Sequence, residues 1–276
     1  MNTVDTELHD KIHESMLMED PRSILDNSRL LLFEKFERMF KQRIKGSILD
    51  IGSGSGYAAI WLALNRSVKI VYALEFSLPA VSKLLPRNIN FHGVQETVIP
   101  ICGSFDNIKI GEKVDFIISF GSLHHSSCLY STFCSLSSVL KPGGYVIAQE
   151  PAMNHQTTNL EYNLKYDCIE KRFGMEIRNG DRNDSFFRDA EYITAAAFNG
   201  FDLLHSGNFN HNKANRFSPK LFLKHFLGSL KLRRKSYDQL HELTKGVEKK
   251  FYVFRKHDEM NIPHLWSPLK KSVYES

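Results

Sequence analysis

From Ser28 onwards the apolar residues Leu31, Leu32, Phe33, Phe36, Met39, Phe40 and Ile44 recur at helical spacings, with Glu34, Lys35, Glu37 and Arg38 interleaved. Residues three and four apart share one helical face, so the pattern predicts an amphipathic helix that ends near Gly46. The next hundred residues alternate between two periods. Residues 47–51, 68–75, 97–102, 114–120 and 145–150 are short apolar runs that predict strands, and 56–64, 78–85 and 129–140 predict helices. Strands separated by helical stretches of about ten residues imply right-handed β-α-β units and a parallel sheet. The Lys141-Pro142-Gly143-Gly144 segment predicts a turn, because proline sets φ at the corner and glycine tolerates positive φ after it.

The rhythm is weaker at both ends of the chain. The first twenty residues are polar and are expected to be loosely ordered. Residues 151–184 are polar and mixed, 186–198 predict a helix, and 201–205 and 251–255 predict strands. No internal repeat or low-complexity tract interrupts this organisation.

Composition narrows the class. With 276 residues, 42% apolar and 24% charged, the chain suits an α/β domain with insertions rather than a disordered or fibrous protein. No apolar run reaches the roughly 18 residues of a spanning helix, so no membrane span is expected. Residues 1–14 lack a basic-then-apolar leader, which makes a cytoplasmic location the default expectation. Cys102, Cys128, Cys134 and Cys168 form no C-x-x-C pair and read as reduced thiols.

The net charge of +5 hides an asymmetry. Residues 209–256 carry 13 Lys and Arg against 3 Asp and Glu, a local balance of +10 that leaves the remainder at −5. This basic segment fits a packed helix with a solvated end, a field that attracts an acidic acceptor, or a surface for RNA or anionic lipid. Charge alone does not separate the three.

The densest signal is Leu49-Asp50-Ile51-Gly52-Ser53-Gly54-Ser55-Gly56-Tyr57, placed after a predicted strand and opening a predicted helix. Glycines there permit a sharp turn and close approach of backbone to a ligand. A dinucleotide fingerprint would require glycine at position 57, which is Tyr57. Asp50, two residues before the first glycine, offers a carboxylate to a cationic amino-acid end, whereas a phosphate site wants bare amides and no anion. Glu75 ends the second strand, where a carboxylate can accept from ribose hydroxyls.

Together, Asp50 to Gly56, Glu75, the strand 115–120, Leu-His-His at 123–125 and Lys-Pro-Gly-Gly at 141–144 resemble a class I S-adenosylmethionine-dependent methyltransferase of the small-molecule group, over about residues 45–206. The resemblance implies a doubly wound, Rossmann-like sheet of seven strands, mostly parallel with an antiparallel last strand, plus helical insertions. It implies an N-terminal helical extension at 1–44, a methyltransferase domain at 45–256 with insertions at about 151–185 and 209–250, and a tail at 257–276. It places Gly52, Gly54 and Gly56 around the methionine moiety, Glu75 on the ribose and Phe76 on the adenine, with Asp50, Ser53, Phe105 and Phe120 also at the cofactor. The family's usual Gly-Asp after the third strand is replaced by Gly103-Ser104, so either Ser104 takes the adenine amine, or Asp106 swings in, or backbone and stacking suffice.

Methyl transfer from a sulfonium is an in-line displacement that chiefly demands positioning, and a protic acceptor gains from a nearby base. His124 and His125 follow the fourth strand, where the family places its chemistry, and His125 is the first choice as base. Glu150, at the end of the fifth strand, is a third catalytic candidate, and His155 a weaker one. Asp181 and Asp184 lie in a turn-like Asn-Gly-Asp-Arg-Asn-Asp stretch, and no metal is expected. The expected reaction is methyl transfer to a small-molecule acceptor, such as a sugar or natural-product intermediate, of acidic character if the basic segment serves it. An RNA methyltransferase and an inactive cofactor-binding scaffold are the rivals. Nothing in the residues names the oligomeric state.

Overall fold

The apolar runs form a single seven-stranded sheet in the computed structural model, which describes residues 3–153, 187–209 and 247–258. The strands are β1 (Gly46–Ile51), β2 (Val68–Glu75), β3 (Val98–Cys102), β4 (Val114–Phe120), β5 (Leu140–Met153), β6 (Phe201–Asn208) and β7 (Val247–Lys256). Their order across the sheet is β3-β2-β1-β4-β5-β7-β6. Strands β1 to β5 pair in parallel, and β7 runs antiparallel between β5 and β6. This is the doubly wound, mostly parallel architecture that the alternating pattern implies, with the last strand reversed.

Both faces of the sheet are covered, which explains why its strands read as continuous apolar runs rather than alternating ones. Within β1, Ile48 packs on one face with Phe33 and Phe36, while Leu49 and Ile51 pack on the other with Phe133 and Tyr192. Successive side chains of a strand point to opposite faces, so one run feeds two cores. The first core takes helices α2 (Leu31–Phe40), α3 (Tyr57–Asn65) and α4 (Leu85–His92); the second takes α5 (Leu129–Val139) and α6 (Asp189–Phe198).

Four differences from the sequence pattern have physical causes. Residues 3–16, expected to be loose, form helix α1 (Thr3–Met16), whose His13 is buried. The helix expected at 78–85 continues to His92: Pro86 lacks an amide hydrogen, and a π-helical turn, Ala80–Leu84, widens the backbone ahead of it so that helix resumes with proline in its first turn. The 141–144 turn is absorbed into β5 as an irregularity, with the register shifting between Val114 and Phe116 on β4 and Gly143 at φ +72°. Strand β7 starts four residues earlier than the apolar run 251–255, because its amino half pairs with the extension of β5 at 150–153. Most of the expected insertions at 151–185 and 209–250, and with them His155, Asp181, Asp184 and most of the basic segment, lie outside the described residues, as does the C-terminal tail from 259.

Candidate active site

The connections from β1 and β4 leave in opposite directions, so the carboxyl ends of these neighbours form the topological switch where open α/β sheets hold ligands. The turn after β1 carries the three glycines. Gly52 sits at φ +63°, and a Cβ there would stand 2.3 Å from the Ser122 hydroxyl oxygen. Gly54, at φ +52°, is different: a Cβ there would have only His13 Nε2 nearby, at 3.7 Å. Gly52 is therefore closed against β4 and Gly54 faces an open side. Ser53 is buried and spends its hydroxyl within the turn, donating to the Asp50 carbonyl at 2.8 Å.

Two carboxylates flank this turn. Asp50 is buried, and burial, with the Glu75 charge acting the same way, pushes its carboxyl up to about 7 despite bonds from Ser53 and the Ala59 amide. Its Oδ2 accepts no hydrogen bond among the described residues. Glu75 is also buried but heavily engaged: Oε2 accepts from the Gly54 amide at 2.9 Å, and Oε1 from the amides of Phe76 at 2.9 Å and Ser77 at 3.1 Å. The carboxylate is thus locked between the glycine turn and the chain leaving β2. Phe76 is half-buried beside it.

The other expected cofactor contacts are less concentrated. Phe105 and Phe120 are buried in the two apolar cores, and Phe120 packs its ring against Phe33 at 5.2 Å. Ser104 is exposed and accepts from the Asp106 amide at 3.2 Å. Asp106 is tied to the start of α5, accepting from the hydroxyls of Ser127 at 3.0 Å and Thr132.

The ends of β4 and β5 hold a second cluster. Glu150 is fully buried; its Oε1 accepts from the Ser119 hydroxyl at 2.7 Å and the Ser122 amide at 3.0 Å, and its Oε2 lies 2.9 Å from His124 Nδ1. Burial pushes the Glu150 carboxyl up, but His124, Ser119 and the Ser122 amide outweigh it and hold the group below its ordinary value. The His125 ring lies 3.9 Å, centroid to centroid, from that of His124. Among the described residues no group of His, Cys, Asp and Glu side chains could hold a metal ion, and no helix is long and apolar enough to cross a membrane.

Several residues at this crevice carried no signal in the sequence pattern. Arg29 reaches over from the segment before α2 and donates to the Tyr57 hydroxyl and to the Phe120 carbonyl, both at 3.2 Å. Asn88 of α4 donates to the Ser55 carbonyl at 2.9 Å and so supports the glycine turn from behind. Helix α1 brings His9 edge-on to Phe76 at 5.2 Å and to His125 at 5.0 Å, while Asp10 accepts from the Ser77 hydroxyl at 2.7 Å. One signal could have found α1. His9, Ile12, His13 and Met16 follow helical spacing and are the less exposed positions, whereas Lys11, Glu14 and Ser15 are exposed.

A turn of left-handed glycines, a buried carboxylate before it and a locked one on the neighbouring strand suit a cationic amino acid joined to a nucleoside. Residues 25–206 match the family model described as a methyltransferase domain. The chain belongs to that methyltransferase family. Its cofactor is S-adenosylmethionine, and the orphaned Asp50 oxygen and the open side of Gly54 fit such a ligand.

Other proteins resemble this methyltransferase more locally or in fold alone. A rice sequence (Oryza sativa subsp. indica) named Probable protein arginine N-methyltransferase 6.1 is 28% identical over 143 residues, 50% of this chain and 35% of that one. The chain thus spans about a third of the length of that relative. Among solved structures, geranyl diphosphate C-methyltransferase from Streptomyces coelicolor A3(2) has a TM-score of 0.58 at 12% identity, over 80% of this chain and 76% of that one. The 4+2 cyclase SpnF has a TM-score of 0.60 at 14% identity, over 83% and 81%. A fold shared with a cyclase does not by itself name a reaction.

Proposed function

We propose that this methyltransferase moves the methyl group of S-adenosylmethionine to a protic atom, a hydroxyl first of all, of a small-molecule acceptor, with His124 as general base and Glu150 as its positioning residue. The observation that carries this reading is the 2.9 Å contact between His124 Nδ1 and a carboxylate oxygen buried out of water. An ionised carboxylate accepts only, so Nδ1 bears the proton, and in the neutral ring Nε2 then carries the lone pair, the tautomer that a base requires. The third member of such arrangements, a group that orients the base, is usually a buried acid. Sequence position alone favours His125 as the base; the Glu150 contact favours His124, with His125 as a wall of the same site.

The bound cofactor supplies an electrophilic methyl group on a sulfonium. The residues of this chain hold and orient it: Gly52, Gly54 and Gly56 shape the cradle, Asp50 answers the cationic end, Glu75 takes a ribose hydroxyl, and Phe76 offers a face to the adenine. Ser53, Phe105 and Phe120 act behind the cradle, and Ser104 borders the adenine end. Lys249, which is exposed and pairs across the β5–β7 ladder with Pro151, the residue after Glu150, is the cation we assign to an acidic acceptor. The likeness to arginine methyltransferases supports a second acceptor class, a guanidinium. Glu150 is a poor partner for one, because its oxygens already accept from Ser119, Ser122 and His124.

The test is a transfer assay with methyl-labelled cofactor against three acceptor pools: a metabolite extract, transfer RNA and arginine-rich peptides. Label is expected in the small-molecule fraction, and label confined to RNA or peptide would overturn the acceptor class. On the labelled product, His124→Ala is expected to lower turnover about 10²- to 10⁴-fold and His125→Ala to lower it less. The reverse ranking would return the base to His125.

A further inference from the structure

Glu75 has less capacity than its place in the sheet suggests. An ionised carboxylate offers about four lone-pair sites, and three are taken by the amides of Gly54, Phe76 and Ser77. A ribose presents two hydroxyls. With Glu75 able to accept from about one of them, the second needs another partner on the same side of the crevice.

Helix α1 provides one. His13 is more than nine-tenths buried, its Nε2 stands beside the open side of Gly54, and its Nδ1 is buried with no hydrogen-bond partner among the described residues. Burial lowers its pKa, with the charges of Glu75 and Asp10 acting the other way, which places both carboxylates close to the ring and keeps the imidazole neutral. A neutral imidazole nitrogen either donates or accepts according to tautomer, so it can answer a hydroxyl in either sense. Nor is this orphan atom alone. Asp50 Oδ2 is also buried with no hydrogen-bond partner among the described residues, and Asp50 precedes the same turn. Polar atoms left unsatisfied in a protein interior are uncommon and unfavourable, and two flanking one loop point to a polar ligand between them.

We propose that His13 is a cofactor-binding residue: its Nδ1 and one oxygen of Glu75 divide the two ribose hydroxyls of S-adenosylmethionine between them, so that α1 forms a wall of the cofactor site. The proposal rests on the reading of Glu75 as the ribose carboxylate. The Asp10–Ser77 bond and the edge-on contacts of His9 with Phe76 and His125 hold α1 in register over the crevice.

The probe is S-adenosylhomocysteine, with its 2′-deoxy and 3′-deoxy counterparts, titrated calorimetrically into the full chain. His13→Ala is expected to weaken S-adenosylhomocysteine about tenfold, with His13→Asn recovering most of the loss because its amide reaches the Nδ1 position. For one of the two deoxy ligands the His13→Ala penalty should vanish, since the hydroxyl that His13 held is already gone. A penalty equal for all three ligands would mean that His13 acts only on packing and would overturn the proposal, as would unchanged or tighter binding. Should His13→Ala fail to fold, the Nδ1 resonance of His13 in nitrogen-15-labelled wild-type protein decides: it is expected to shift on adding S-adenosylhomocysteine, and a stationary resonance overturns the assignment. Separately, Glu75→Gln with undiminished affinity would remove the ribose role of Glu75, and a wild-type chain that ignores the ligand would remove the cofactor site itself.

Discussion

The two halves of the crevice are built in different ways. At the ends of β1 and β2 the cofactor half is made of backbone: three left-handed glycines, and a carboxylate clamped by three amides drawn from two loops. At the ends of β4 and β5 the other half is made of side chains, in which Ser119, Ser122, His124 and Glu150 meet although up to 31 residues separate them. A cradle of backbone tolerates no change in chain path but accepts many neighbouring side chains. A side-chain relay has the opposite character: the fold survives its alteration and the chemistry does not. This contrast matches the proposed division of labour, with a constant ligand on one side and a specific acceptor on the other.

The largest expected effect falls on the side-chain half. Glu150→Gln keeps the volume and an acceptor oxygen for Ser119 and Ser122, but it turns an amide donor toward His124. Nδ1 must then accept, Nε2 must carry the proton, and the imidazole is presented in the wrong tautomer for a base. Turnover is expected to fall about 10³- to 10⁴-fold, as for the comparable replacement behind a catalytic histidine, while S-adenosylhomocysteine affinity stays within about twofold. Single-turnover kinetics and calorimetry on the same preparation check the split. A loss of affinity as large as the loss of turnover would break the contrast, because the two halves would then be one unit.

The backbone half is probed next by Gly52→Ala. A Cβ at that position meets the Ser122 oxygen at 2.3 Å, and φ of +63° is strained for any side chain. The turn must shift, and β4 or the cradle must give way. We expect stability to fall by about 1–3 kcal/mol and cofactor affinity to drop about a hundredfold or more, measured by thermal melting and calorimetry. The same substitution at Gly93, also left-handed but with nothing near its Cβ, should cost stability alone.

The contrast also explains what was legible in the sequence. The cofactor half is local: Asp50 to Tyr57 is one continuous stretch and Glu75 ends the next strand, so a linear pattern carries it. The relay is not local. Ser119 and Ser122 lie within and just beyond an apolar strand and look like ordinary strand-end residues until Glu150 is placed beside them. His9 and His13 were hidden for another reason: counting imidazole as polar erased the stripe His9-Ile12-His13-Met16, and the first helix with it. Pro86, one residue past the predicted helix end at 85, lies inside the observed helix, because a π turn upstream absorbs the cost of proline to a regular helix.

Asp50 gives the smallest effect and the finest test, because its charge changes near neutral pH. Its carboxyl lies at about 7, raised by burial from an ordinary value of 3.8. The folded chain therefore binds a proton more readily than the unfolded one over that interval, and stability contributed by the neutral form is lost as pH rises from about 4 to about 7. The cofactor works in the other direction. Its α-ammonium is positively charged throughout this range, and beside Asp50 it favours the ionised carboxylate, so binding releases a proton below pH 7 and affinity must climb as pH rises toward 7. Calorimetry from pH 5.5 to 7.5 is expected to show about a tenfold gain for S-adenosylmethionine. Glu75 and His13 remain in both proteins, so the difference between the wild-type and Asp50→Asn profiles isolates this group. Asp50→Asn should bind less tightly at pH 7.5, lose most of the slope, and become more stable relative to wild type as pH rises. A variant that kept the full slope would show that the charge of the cradle resides elsewhere, with Glu75 or His13, and that the backbone alone defines the place of the amino-acid end.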